Sequence, residues 1–216
     1  MPSQPPSSIE TEFAERYDRE HARVCGDTRP PGLWRRLALW RDEQLARHAL
    51  KIAGEPGLIL DLACGVGRLW PVLAEHENRV ILAADNSQNM LDHSRTHHAE
   101  ALLKRVKTFQ SSAFSIGLPA NAVDCIFCLE LFRHVPTTEG RLALLGEFHR
   151  VSRDTVIISV KSSIGDTSAR PDALAGGSHR TQVEGEFRQA GFKILNHQEF
   201  LPGSAMWCVY VLRKRG

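Results

Sequence analysis

From residue 57 onward, short apolar and β-branched runs alternate with segments of helical spacing. "GLILDLA" (57–63), "RVILAAD" (79–85), "VKTFQSS" (106–112), "AVDCIFCLEL" (122–131) and "TVIISV" (155–160) predict five strands. The fourth is apolar on both faces, as an interior parallel strand is. Between them "RLWPVLAEHE" (68–77), "SQNMLDHSRTHHAEALL" (87–103) and "TEGRLALLGEFHRV" (138–151) predict helices. Pro71 suits a first helical turn, and Ser87 is placed to cap. A Gly/Ser/Pro-rich connection (162–179) precedes "TQVEGEFRQAG", read as a helix opened by a Thr181/Glu184 capping box and closed at Gly191. The last two strand-like runs, "FKILNHQEFL" and "MWCVYVLRKR", are separated by "PGSA". That spacing is too short for a crossover helix, so they must pair as an antiparallel hairpin.

Alternating strands and helices predict an α/β fold: an open, seven-stranded, mostly parallel sheet with helices on both faces and a C-terminal antiparallel hairpin. Upstream, residues 9–24 and 33–52 read as helices separated by "GDTRPPG". The organisation expected is therefore a disordered tail over 1–8, an N-terminal helical lid region over 9–56, and a core over 57–216. The arginines between the apolar positions of 33–52 read as a solvated face.

Composition adds limits. A length of 216 residues, 42% hydrophobic and 24% charged, describes one globular domain. A net charge of +2 with mixed signs does not call for nucleic acid. Five scattered cysteines read as reduced thiols and a cytoplasmic location. Cys125 and Cys128, three apart on a strand, face opposite sides, which argues against a shared metal or redox pair, and no metal is expected. No run of 18 apolar residues exists, so a membrane is not expected as a partner.

Candidate chemistry lies in "LILDLACGVGRLW" (58–70), where a strand ends on Asp61 and breaks into Ala63, Gly65 and Gly67. In open α/β sheets a ligand binds beyond the carboxyl ends of the strands, and small residues let it approach the backbone. A dinucleotide pyrophosphate would be repelled by Asp61. A ligand carrying a sulfonium and an ammonium, as S-adenosylmethionine (SAM) does, would be attracted. Asp85, 18 residues after Gly67, stands where an acid accepts hydrogen bonds from ribose hydroxyls.

These blocks, with "AADNSQNML", "SSAFSIGLPANAVDCIFCLELFRHV" and "LLGEFHRVSRDTVIISV" in order, resemble the class I SAM-dependent methyltransferases over residues 57–212. The resemblance implies SAM as cofactor. It implies Asp61, Ala63 and Gly65 at its methionine end, with Gly67 in the same turn, and Asp85 on the ribose. It further implies Asn86 and Met90 against the adenine, Ser112, Ala113 and Phe114 on its other side, and the Leu129 carbonyl at the ammonium. Ala63 stands where the family usually has glycine, and Ser112 where it often has aspartate.

Methyl transfer needs chiefly an aligned acceptor, with a base only where the acceptor loses a proton early. Glu130, His134 and His179 are the candidates at that end of the sheet, the two histidines being the catalytic expectation. The fourth strand ends "LELFRH", lacking the Asn/Asp-Pro-Pro-Tyr/Phe motif of enzymes that methylate adenine amino groups. A small-molecule acceptor, methylated on oxygen or nitrogen, is the reading. An RNA or protein methyltransferase docking through the arginines of 34–51, a non-catalytic SAM-binding module, and an NAD-dependent enzyme are the alternatives.

Overall fold

The computed structural model describes residues 32–161, 179–200 and 207–215; of Lys161 and His179 the backbone alone is described. The expected N-terminal tail and first helix lie outside these residues. The described elements run α1 (Leu33–Ile52), β1 (Leu58–Leu62), α2 (Trp70–Leu73), β2 (Val80–Asp85), α3 (Gln88–His97), α4 (Glu100–Leu103) and β3 (Val106–Gln110). β4 (Val123–Cys128), the 3-10 turn Phe132–His134, α5 (Thr138–Val151), β5 (Ser152–Lys161), α6 (His179–Gln189), β6 (Phe192–Glu199) and β7 (Trp207–Lys214) follow.

The seven strands form one sheet in the order β3-β2-β1-β4-β5-β7-β6. The first five are mutually parallel, and β7 is antiparallel to both β5 and β6. Alternation along the strands feeds two cores. Leu60, Ile126, Cys128, Tyr210 and Leu212 face α5 and α6 through Leu144, Phe148 and Phe187. Ile59, Cys125, Phe127, Val209 and Val211 face α1 and α2 through Leu45, Ala49 and Trp70. Cys125 and Cys128 thus point into opposite layers, as a two-residue strand period requires.

Three expected helices differ. The 68–77 segment makes one helical turn, because its later carbonyls turn to arginines: Arg79 donates to Leu73 O at 2.9 Å, and Arg105 to Ala74 O and His76 O at 2.6 Å each. The 87–103 segment breaks at His98, whose backbone is extended and whose ring reaches inward to the Val66 carbonyl at 2.9 Å and lies 5.0 Å from the Trp70 ring. Ser87 holds the cap position without a side-chain bond. The Thr181/Glu184 capping box is not formed, because α6 already includes His179. Glu184 instead pairs with Arg180 at 3.0 Å and Arg188 at 3.3 Å and accepts from the Tyr210 hydroxyl. Gly191 does close the helix, at φ +88°.

Arg141 on α5 and Glu186 on α6 fix these two helices to each other. The guanidinium donates twice to the carboxylate, at 2.7 and 2.6 Å, and also to the Pro136 carbonyl at 2.9 Å, with both side chains buried. Removing one partner strands a charge in the core. Arg141→Met is expected to cost about 3–5 kcal/mol in urea denaturation, and the double variant Arg141→Met/Glu186→Met to recover most of that loss.

Candidate functional site

At the carboxyl ends of β1 and β4 opens a cavity of about 650 Å³. Its floor is the turn after β1 with Phe127 and Leu129, one wall is α3 with His93 and His97 and the His98 that follows it, and α1 and the 129–134 segment complete it.

The turn after β1 is held in left-handed backbone, with φ +58° at Ala63, +54° at Gly65 and +76° at Gly67. For Ala63 that conformation costs on the order of 1–2 kcal/mol. Asp85, 1% exposed at the end of β2, holds the turn in place. One of its oxygens accepts from the Gly65 N–H at 2.8 Å and the other from the Ser87 N–H at 3.0 Å, tying the β1 turn to the start of α3.

Asp61, 6% exposed, receives the indole N–H of Trp70 at 3.0 Å. Burial pushes its carboxyl up to about 7; the indole bond and Arg68 oppose the rise, and Asp85 adds to it. Gly67 explains how Trp70 reaches Asp61. A Cβ at Gly67 would lie 2.4 Å from the indole ring, so the ring occupies the space a side chain would take. Gly67 therefore makes room for Trp70, and it does not itself line the cavity.

From α1, Asp42 meets Arg68 of the turn at 3.0 Å; burial raises the Asp42 carboxyl to about 6, against the pull of Arg68. Opposite, Glu130 is held at φ +76° with its N–H on the Ser159 hydroxyl at 2.6 Å and its carboxylate on Arg133 at 2.9 Å. Arg133 also donates to Nε2 of His134 at 3.1 Å. Burial and the neighbouring Asp61 hold the Cys64 thiol far above the ordinary thiol range.

Of the expected residues, Asp61, Ala63, Gly65, Met90, Leu129 and His134 line this one cavity. Asp85 lies buried behind the turn. Asn86 presents its carbonyl to Gln110 at 2.8 Å. Ser112 accepts the Phe114 N–H at 3.1 Å, folding the 112–114 loop over a buried Ala113. The side chain of His179 lies outside the described residues. Trp70, Asp42, Arg68 and the wall histidines His93, His97 and His98 were not anticipated. A tryptophan nine residues after the strand-end acid is the one trace of them in the sequence.

A sheet in this order matches the fold of class I methyltransferases, and in this chain an acid stands at the tip of β1 beside a left-handed turn and a second acid at the tip of β2. Residues 59–155 match the family model described as "Methyltransferase domain". The chain is similar to a sterol 24-C-methyltransferase of Gibberella zeae, 23% identical over 77% of this chain and 49% of that protein. It thus spans about half the length of that curated relative. Among solved structures it resembles magnesium protoporphyrin IX methyltransferase of Synechocystis PCC 6803 with bound S-adenosylhomocysteine, at TM-score 0.69 and 19% identity, over 95% of this chain and 98% of the other. It also resembles a (4+2)-cyclase, at TM-score 0.62 and 18% identity, over 80% of each chain.

The support of Trp70 by Gly67 is directly testable. Gly67→Ala combines left-handed strain with an overpacked ring and is expected to cost about 2–4 kcal/mol. Thermal unfolding with near-ultraviolet circular dichroism of the indole checks this; an unchanged tryptophan signal and melting point would contradict it.

Proposed function

We propose that this chain is a SAM-dependent methyltransferase acting on a small-molecule acceptor. The observation that carries the reading is Asp61, a buried carboxylate with one side-chain hydrogen bond, at the end of a strand and facing a cavity beside left-handed backbone. An anionic cofactor would be repelled there, whereas an ammonium would receive the charge that burial leaves poorly compensated. The residues present fit SAM, which supplies a methyl group on a sulfonium and leaves as a neutral thioether.

In this reading Asp61 and the Leu129 carbonyl hold the ammonium, while Ala63 and Gly65 let the amino-acid end lie on the backbone. Asp85 takes the ribose hydroxyls with the acceptor capacity its two amide bonds leave. Asn86 and Met90 flank the adenine from one side and Ser112, Ala113 and Phe114 from the other.

The acceptor side is bounded by α1 and by the 129–134 segment, whose contribution is to exclude water and align the acceptor. For a base the chain offers His134, whose Nε2 Arg133 must first release, and His179. The sterol relative's name places its methyl group on carbon, so carbon joins oxygen and nitrogen as the acceptor atom. Docking of RNA through α1 is not supported, since Arg41 donates to the Phe200 carbonyl at 2.8 Å and Arg47 pairs with Glu75 at 2.7 Å. The four described cysteines are free thiols, which supports a reducing, cytoplasmic setting.

Asp61 makes the reading sensitive to pH. With its carboxyl near 7, the free protein holds the proton below that value and the charge above it. SAM affinity is expected to rise as pH climbs through about 7, with proton release on binding below it; Asp61→Asn removes both effects. Calorimetry in buffers of different ionisation enthalpy reads the proton directly, and pH-independent binding by the wild type would overturn the assignment. Fold stability runs the other way. A carboxyl raised from an unfolded value of about 3.9 carries no burial penalty below that pH and accumulates it up to about 7, so wild-type stability falls across that window more steeply than that of Asp61→Asn. Asp85→Ala should weaken SAM at least about tenfold, losing both its ribose contact and the bond holding the Gly65 turn.

A further inference from the structure

The first two turns of α1 carry their apolar residues on the outside. Leu33 and Trp34 are 82% and 85% exposed, and Leu37 and Trp40 are 53% and 54% exposed. They are four of the five large hydrophobic side chains exposed among the described residues, so this is one concentrated patch and not ordinary scatter. At 3.6 residues per turn they fall within about 120° of the helix circumference. The opposite side carries Leu39 and Asp42 at the cavity and Leu45, Ala46 and Ala49 in the core.

Charge narrows what can cover the patch. Residues 32–41 hold no acid and three arginines; Arg41 is drawn to the Phe200 carbonyl and Arg35 lines the cavity, so Arg36 is the charge beside the stripe. A second copy packed symmetrically on the stripe would set arginine against arginine. A surface that is negative outside and apolar beneath suits both components. Tryptophan places its ring at such a boundary, and arginine keeps its charge among the headgroups. We propose that the outer face of α1 docks this protein on an anionic lipid surface. No described helix is long and apolar enough to cross a membrane. Lying on a bilayer is a separate matter from spanning it, and the lack of a spanning run in the sequence addresses only the latter. The helix is already anchored through its opposite face, so it meets the lipid folded, with the cavity about one helix diameter, roughly 10 Å, from the headgroups.

The full chain is sedimented with vesicles of phosphatidylcholine alone and of phosphatidylcholine with phosphatidylglycerol. Binding to the anionic vesicles that weakens with salt is expected, with quenching of tryptophan emission by brominated acyl chains. Trp34→Ser/Trp40→Ser should weaken it roughly tenfold or more, and Arg36→Gln roughly fivefold. SAM affinity and far-ultraviolet circular dichroism of the tryptophan variant should stay as in the wild type, since neither ring lines the cavity. Equal binding by that variant, no preference for anionic vesicles, or self-association abolished by the same substitutions without vesicle binding would each overturn the proposal.

Discussion

Two carboxylates stand almost dry at the tips of adjacent parallel strands, and much of the site is arranged around keeping both there. Asp85 is compensated by peptide dipoles: the amides of Gly65 and Ser87 point at its two oxygens, so one side chain sets the paths of two turns. Asp61 has the Trp70 indole, which reaches it across space that Gly67 leaves clear. The left-handed geometry at Ala63, Gly65 and Gly67 follows from these demands, and its strain is held by the surrounding bonds. The unequal compensation separates their roles. Asp85 is a structural tie between two turns, while Asp61 stays short of positive partners.

Much of this was legible in the chain, for reasons tied to particular residues. Helices 33–52 and 138–151 appear with the boundaries their periodicity suggests, because strong punctuation ends each: Gly32 before one, and the Thr137 hydroxyl accepting from Gly140 N–H before the other. The inner strands were visible because both of their faces are buried in cores of different composition, whereas β3 and β6 at the edges are only partly buried. What failed were local rules overruled by distant contacts. The helix over 87–103 was broken by His98 reaching residue 66, and the one over 68–77 by arginines 79 and 105. In the site, Asp61, Gly65 and Asp85 showed themselves because a charge at a glycine-rich strand end is unusual. Asp42 and Arg68, 26 positions apart, meet only when α1 packs across the sheet, and neighbouring sequence carries no sign of that.

The same frame serves more than one chemistry. A chain of similar fold is a (4+2)-cyclase, so topology cannot by itself specify a reaction. What this chain adds is a cavity wall of paired charge. Arg68 with Asp42 on one side and Arg133 with Glu130 on the other leave little net charge around an otherwise apolar floor.

The placement of β7 bears on how the polypeptide reaches this state as it emerges from the ribosome. β7 lies between β5 and β6, although β6 is translated first. Until β7 has been synthesised and inserted, β6 has no described neighbour to pair with and β5 presents an open edge rich in valine and isoleucine. The nascent chain therefore passes through an interval with one apolar strand edge open and one strand unpaired, a species exposed to aggregation and to chaperone capture. Completion of the sheet is deferred to one late zipping step, in which β7 joins both strands at once.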